Sequence, residues 1–107
     1  MPSNPFLKSV IVTLANTNYN LLTLMQVVDK AAPTRCSKLN IQLDTLAGAA
    51  NLYIGNDDIS GTNFGAHLNA GQAKIWESGE TDRIVLNQIF LRSDTAGVQV
   101  NIDALVY

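Results

Sequence analysis

Apolar and polar residues alternate through much of this 107-residue chain. From Lys38 to Asp44, the residues Leu39, Ile41 and Leu43 fall on one side of an extended backbone. Lys38, Asn40, Gln42 and Asp44 fall on the other, the period-two pattern of a strand with one wet face. Val10, Val12 and Leu14 alternate in the same way within a β-branched run, and this predicts an earlier strand over residues 10–14. A strand is also predicted over residues 51–55, after the small-residue turn 46–50, and a short one over residues 74–77. A longer strand is expected over residues 84–92, and a last one over residues 98–106, where Val98, Val100 and Ile102 alternate with Gln99, Asn101 and Asp103.

One segment changes period. Leu21, Leu24, Met25 and Val28 follow an i, i+3, i+4, i+7 stripe, so a short helix is expected over about residues 21–31. Asn20 is placed to cap its start and Pro33 to end it. A strand over residues 21–28 is the alternative. Residues 78–82 read as a turn, and Ser93 to Gly97 is a five-residue loop ending in glycine, which predicts an antiparallel hairpin between the last two strands. Six or so short strands with at most one helix, and no βαβ rhythm or fixed repeat, define an all-β chain. The expected fold is an antiparallel β-sandwich of jelly-roll or immunoglobulin-like type. One domain over residues 1–107 is expected, with residues 1–8 as an N-terminal arm.

Composition narrows the partners. Formal charge is −2, and only 15% of residues are charged against roughly 25% in an average soluble protein, so the surface carries little long-range repulsion and suits packing against other protein. Lys8, Lys30, Arg35, Lys38, Lys74, Arg83 and Arg92 are scattered, which argues against a nucleic-acid partner. No apolar run approaches the roughly 20 residues of a membrane span, and residues 1–9 carry no signal-peptide pattern, so folding in a cytoplasm is expected. Cys36 is the single cysteine. It has no intrachain disulfide partner and is expected to pack as a small apolar residue.

Candidate chemistry is sparse. His67 is the only histidine, and neither Ser60 nor Ser78 lies in a nucleophile elbow that could use it. Asn56, Asp57 and Asp58 have oxygen ligands for a hard cation but lack EF-hand spacing, so a solvated turn is the expectation. Glu77, Glu80 and Asp82 offer a carboxylate pair only within a turn. Four of the seven glycines, Gly55, Gly61, Gly65 and Gly71, lie between residues 52 and 71 without matching a phosphate-binding loop, so they are expected to serve tight bends. The sequence therefore assigns no catalytic residue, no cofactor-binding residue and no metal ligand. Phe64, Trp76 and Tyr107 lie in or beside loops and chain ends. An aromatic there either closes the core or anchors an interface, and these three are the candidate interface residues.

The segments YNLLTL (19–24), PTRCSKLNIQ (33–42), NLYIGN (51–56), ISGTNFG (59–65) and LNAG (68–71) occur in an order that resembles the small virion structural proteins of tailed bacteriophages. The likeness covers roughly residues 19–75, and the flanking strands fit by general character. It implies a β-sandwich, commonly a jelly roll, that decorates or cements the outside of the capsid. The implied partner is the major capsid protein or another virion protein, the implied assembly a homotrimer, and the implied location the virion. A tail or head-fibre component, or a carbohydrate-binding receptor module using Trp76 and Tyr53, is the alternative. The resemblance brings no enzymatic activity and no cofactor.

Overall fold

The structure, a computed structural model, describes residues 6–28, 30, 34–60, 62–77 and 84–106. Strand β1 (Phe6–Leu14) is followed by β2 (Asn18–Asn20), the helix α1 (Leu21–Val28), β3 (Arg35–Cys36) and β4 (Lys38–Leu43). Then come β5 (Leu52–Gly55), β6 (Ala66–Leu68), β7 (Ala73–Glu77), β8 (Ile84–Val85), β9 (Phe90–Ser93) and β10 (Val98–Val106). Two four-stranded antiparallel sheets result, β1-β10-β4-β7 and β2-β9-β5-β6, with β3 and β8 forming a small ribbon. The protein is an all-β sandwich.

The strand order has a simple origin. Without the β3–β8 ribbon, the eight remaining strands pair first with last, second with seventh, third with sixth and fourth with fifth. That is one long hairpin of nested antiparallel pairs. It closes on itself because β10 also pairs with β4, and β9 with β5.

The alternation read from the sequence fills the space between the sheets. Leu39, Ile41 and Leu43 are fully buried on β4, and their polar neighbours are not. Val100, Ile102 and Ala104 line the same side of β10, and Val12 and Leu14 that of β1. Opposite them stand Leu52 and Ile54 of β5, Leu68 of β6 and Leu91 of β9, all in one apolar cluster. Among the described residues, every buried side-chain nitrogen or oxygen has a hydrogen-bond partner, so this layer has no buried polar debt to offset.

Several expectations change. The helix ends at Val28, with residues 29 and 31–33, including Pro33, outside the described set. The Asn20 cap is present: its Oδ1 accepts from the Thr23 N–H at 3.2 Å, and its Nδ2 donates to the Asn87 carbonyl at 2.7 Å. Leu21 and Met25 are buried and Leu24 half-buried, whereas Val28, on the same face of the helix but at its far end, is 55% exposed. Three residues of the expected arm 1–8 belong to β1 instead, Phe6, Leu7 and Lys8 pairing with Val106, Leu105 and Ala104. Residues 1–5 lie outside the described set, as does the turn expected at 78–82.

The single strand expected over residues 84–92 is broken. Ile84, Val85 and Leu86 are apolar in succession, as are Ile89, Phe90 and Leu91, and no straight strand buries three consecutive side chains on one face. The chain resolves this by coiling through a short 3-10 turn at Leu86–Gln88. Leu86 enters the core and donates its N–H to the Thr34 carbonyl at 3.0 Å. Nor do β9 and β10 form the expected hairpin: β9 pairs with β2 and β5, β10 with β1 and β4. The loop between them crosses from one sheet to the other, pinned by the Gly97 N–H on the Leu14 carbonyl and by the buried Ser93 hydroxyl, which donates to the Thr95 carbonyl.

The glycine-rich ribbon contains a strand the sequence did not declare, β6, and Gly71 and Gly55 serve tight backbone bends as expected, while Gly61 lies outside the described residues. Gly71 has φ +82° at the third position of the turn that begins at Asn69, closed by the Gln72 N–H on the Asn69 carbonyl. Gly55 lies where the ribbon folds back: a Cβ there would sit 2.6 Å from Ile59 Cγ2 and 3.2 Å from the backbone nitrogen of Gly65. The sheet margins are unequal. The first sheet ends in the nine-residue β1 and the five-residue β7, the second in the three-residue β2 and β6.

Two stability predictions follow from this packing. Ile41→Ala leaves a cavity between the sheets and lowers unfolding free energy by about 3 kcal/mol in a urea titration. Gly55→Ala forces Ile59 and the Gly65 backbone apart and costs about 1–2 kcal/mol; an unchanged urea midpoint would show that the ribbon does not pack as described.

Candidate functional site

The outward face of the second sheet is built by the same alternation that builds the core. On β5, Leu52 and Ile54 point inward, so Tyr53 points out; on β9, Leu91 points inward, so Arg92 points out. Register aligns these positions. Asn18 of β2 pairs with Arg92, Arg92 with Tyr53 and Tyr53 with His67 of β6, giving one row across all four strands.

Phe64, just before β6, leans over this row. The Tyr53 and His67 rings stack with centroids 5.2 Å apart and planes 19° apart. Phe64 lies 4.9 Å from Tyr53 and 5.7 Å from His67, tilted to both. These distances describe a closed triad of rings on an outer surface, and Phe64 stays 42% exposed.

Beside the rings runs a polar network whose proton positions can be derived. The Asp94 carboxylate only accepts hydrogen bonds, and it accepts from the Asn51 backbone N–H at 2.8 Å and from Asn51 Nδ2 at 2.6 Å. That fixes the orientation of the Asn51 amide. Its Oδ1 must then be an acceptor, receiving Asn69 Nδ2 at 2.9 Å and His67 Nε2 at 2.7 Å. His67 Nε2 therefore carries a proton, and in the neutral ring Nδ1 is the open acceptor. At the other end of the row, Arg92 Nη1 donates to Asn18 Oδ1 at 2.8 Å, and Asn18 Nδ2 donates to the Asp57 carbonyl. The side-chain and backbone hydrogen bonds from Asn51 hold the Asp94 carboxyl below its ordinary value, against a smaller opposing effect of burial.

Of the candidate interface residues, Phe64 joins this face. Trp76 does not. It lies on β7 of the first sheet, paired with Leu39, and is half-buried against the core, the core-closing role. Tyr53 and Trp76 thus do not share an exposed face, because β7 pairs with β4 and never reaches the second sheet's outer side. Tyr107 lies outside the described residues, as do Ser78, Glu80 and Asp82. Glu77 is exposed and faces Lys38 at 3.7 Å, a surface pair of small worth. His67 meets Asn51, Tyr53 and Phe64, while the Ser60 hydroxyl accepts from the Thr62 and Asn63 N–H groups of its own turn. The Asp57 and Asp58 carbonyls are each taken by an asparagine side chain. Among the described residues, no group of three or more His, Cys, Asp or Glu gathers, and no helix is long and apolar enough to cross a membrane.

Arg92, Asn18, Asn51 and Asp94 were not singled out in the sequence. The signal available was the strand alternation, which turns Tyr53 and Arg92 outward; bringing positions 18, 92, 53 and 67 into one row needs the register between strands. No protein-family model matches the chain, and no curated protein is significantly similar to it.

Asp94 yields a prediction with a definite sign. Its folded-state pKa is lowered from 3.8, so its contribution is complete above that value and is lost as pH falls through the lower, folded value. Asp94→Ala is expected to destabilise the protein by about 1 kcal/mol at pH 7, a figure kept small because the carboxylate is solvent-exposed. The difference from the parent protein should shrink in urea titrations as the pH falls below 3.8. A gap that stays constant with pH would contradict the role given to the ionised carboxylate.

Proposed function

We propose that this protein is a structural component of a tailed-bacteriophage virion, a decoration or cement module. In this reading it binds the outside of the shell and strengthens contacts between major capsid subunits. It acts by binding and performs no catalysis. Three features support the reading. The segments that resemble phage virion proteins run from β2 to β7, covering strands of both sheets. We read the nested strand order as a jelly roll, the architecture that the resemblance implies.

The third observation carries the reading. Large exposed apolar side chains supply contact points at several places on the sandwich: Ile11, Val27 and Val28 border one apolar depression between β1 and α1, while Leu46 and Ile75 stand apart from it. Leu46 is 88% exposed beside the loop 95–99 at one end; Ile75 is 51% exposed on the edge strand β7; Ile11 is 62% exposed on β1; Val27 is 81% exposed on α1. Among the described residues, the depressions beside the loop 95–99 and between β1 and α1 are half-open hollows of about 390 Å³ each. Such a module stabilises a lattice by mass action, because it binds assembled subunits and not dissociated ones. A homotrimer fits this reading, since closed symmetry multiplies identical contacts.

The test uses particles prepared with and without this protein. Shells that carry it should disassemble at a higher temperature than shells that lack it, and purified protein added back should restore the difference. Leu46→Asp or Ile75→Asp should weaken add-back binding by about tenfold. Equal heat resistance of the two kinds of shell, together with no add-back binding, would sink the proposal.

A further inference from the structure

The ring triad and its polar border on the second sheet differ in kind from the scattered apolar points just described. We propose that this face is a binding site for a neutral saccharide, in which a pyranose unit rests its C–H face against Phe64 and directs its hydroxyls to the surrounding polar groups. The site belongs to the isolated sheet and does not depend on virion assembly.

Several hydrogen-bonding valences on this face remain open. Phe64 is 42% exposed and His67 is exposed as well, while Tyr53 is half-buried between them, so Phe64 offers an accessible apolar ring. The Tyr53 hydroxyl makes no hydrogen bond to a described residue, and Asn18 occupies one of the five donors of Arg92. His67 Nδ1 is open once Nε2 is committed to Asn51. These donors and acceptors are already oriented. Asn51 is held by Asp94, His67 and Asn69, and Arg92 is held by Asn18, so little side-chain freedom is lost on binding.

The chemistry of the occupant follows. A purely apolar protein surface would cover the Tyr53 hydroxyl, the remaining Arg92 donors and His67 Nδ1 without partners, which is unfavourable. A pyranose offers an apolar face and a rim of hydroxyls, each both donor and acceptor, and so meets the ring and its border together. Arg92 stands opposite Tyr53 and Asp94 opposite Asn51, so two opposite charges lie side by side along β9 and its end and offset one another, which gives an anionic sugar no advantage there. The surface is a ledge and not a deep pocket, which suits weak binding of one or two sugar units, strengthened by multiple copies.

The experiment applies the purified protein to an array of neutral hexose and N-acetylhexosamine oligosaccharides alongside sialylated and sulfated ones. Backbone amide shifts are then followed in titrations with methyl glucoside, methyl mannoside, methyl galactoside and methyl N-acetylglucosaminide. At least one neutral sugar should bind and move the amides of Tyr53, Phe64, His67 and Arg92. Phe64→Ala should weaken that binding by about tenfold, and Tyr53→Phe, which keeps the ring and removes only the hydroxyl, by about threefold. Ile75→Ala on the other sheet should leave it unchanged. The proposal is overturned if no neutral sugar binds, if only anionic glycans bind, or if binding survives both Phe64→Ala and Tyr53→Phe. It is also overturned if Phe64→Ala abolishes self-association while no sugar shifts these amides, which would make the face a protein interface. Neither assay involves a capsid, so failure here leaves the shell experiment to be decided by its own result.

Discussion

The dry layer between the two sheets is the constraint on which the other features depend. Leu39, Ile41, Leu43, Val100 and Ile102 from one sheet meet Leu52, Ile54 and Leu91 from the other, all within one cluster. Because side chains alternate along a strand, burying these residues fixes which side chains look outward. Tyr53, Arg92 and His67 stand together outside because Leu52, Leu91 and Leu68 stand together inside. A one-residue slip of β5 would bury Tyr53 and expose Leu52 and Ile54, so the outer site has the same register security as the core.

The core was legible in sequence where one strand serves one sheet with one wet face. Residues 38–43 and 98–106 meet that condition; Leu39, Ile41, Leu43, Val98, Val100 and Ile102 were identified from the pattern alone, whereas the buried Ala104 was not. It failed where apolar residues are consecutive. Ile84 to Leu91 supplies two different pairings, with β3 on one side of the turn at Leu86–Gln88 and with β2 and β5 on the other. Period-two counting has no means of representing that division. Short strands were missed for a related reason: β2 and β6 have three residues each, too few for an alternation to stand out from loop composition.

The site was less legible than the fold, and the reason is geometric. His67 read as an isolated polar residue because its partners, Asn51 and Tyr53, lie 16 and 14 positions away and meet it only through the pairing of β5 with β6. Asp94 lies farther still from Asn51, brought there by β9 and β5 running side by side. Trp76 drew attention as a large aromatic, yet β7 turns it toward the core's flank. Residue type singled out the aromatics; the sheet decides which of them share a surface.

The unequal margins of the two sheets give the molecule a direction. The second sheet ends in strands too short to template much backbone pairing, whereas the first ends in a nine-residue strand with one partner. Where copies join by lending backbone hydrogen bonds across a boundary, they can lengthen only that one layer. Growth by this route, β1 of one copy against β7 of the next, would be a ribbon that carries one aromatic ledge per copy on the same layer and turns with the twist of the sheet.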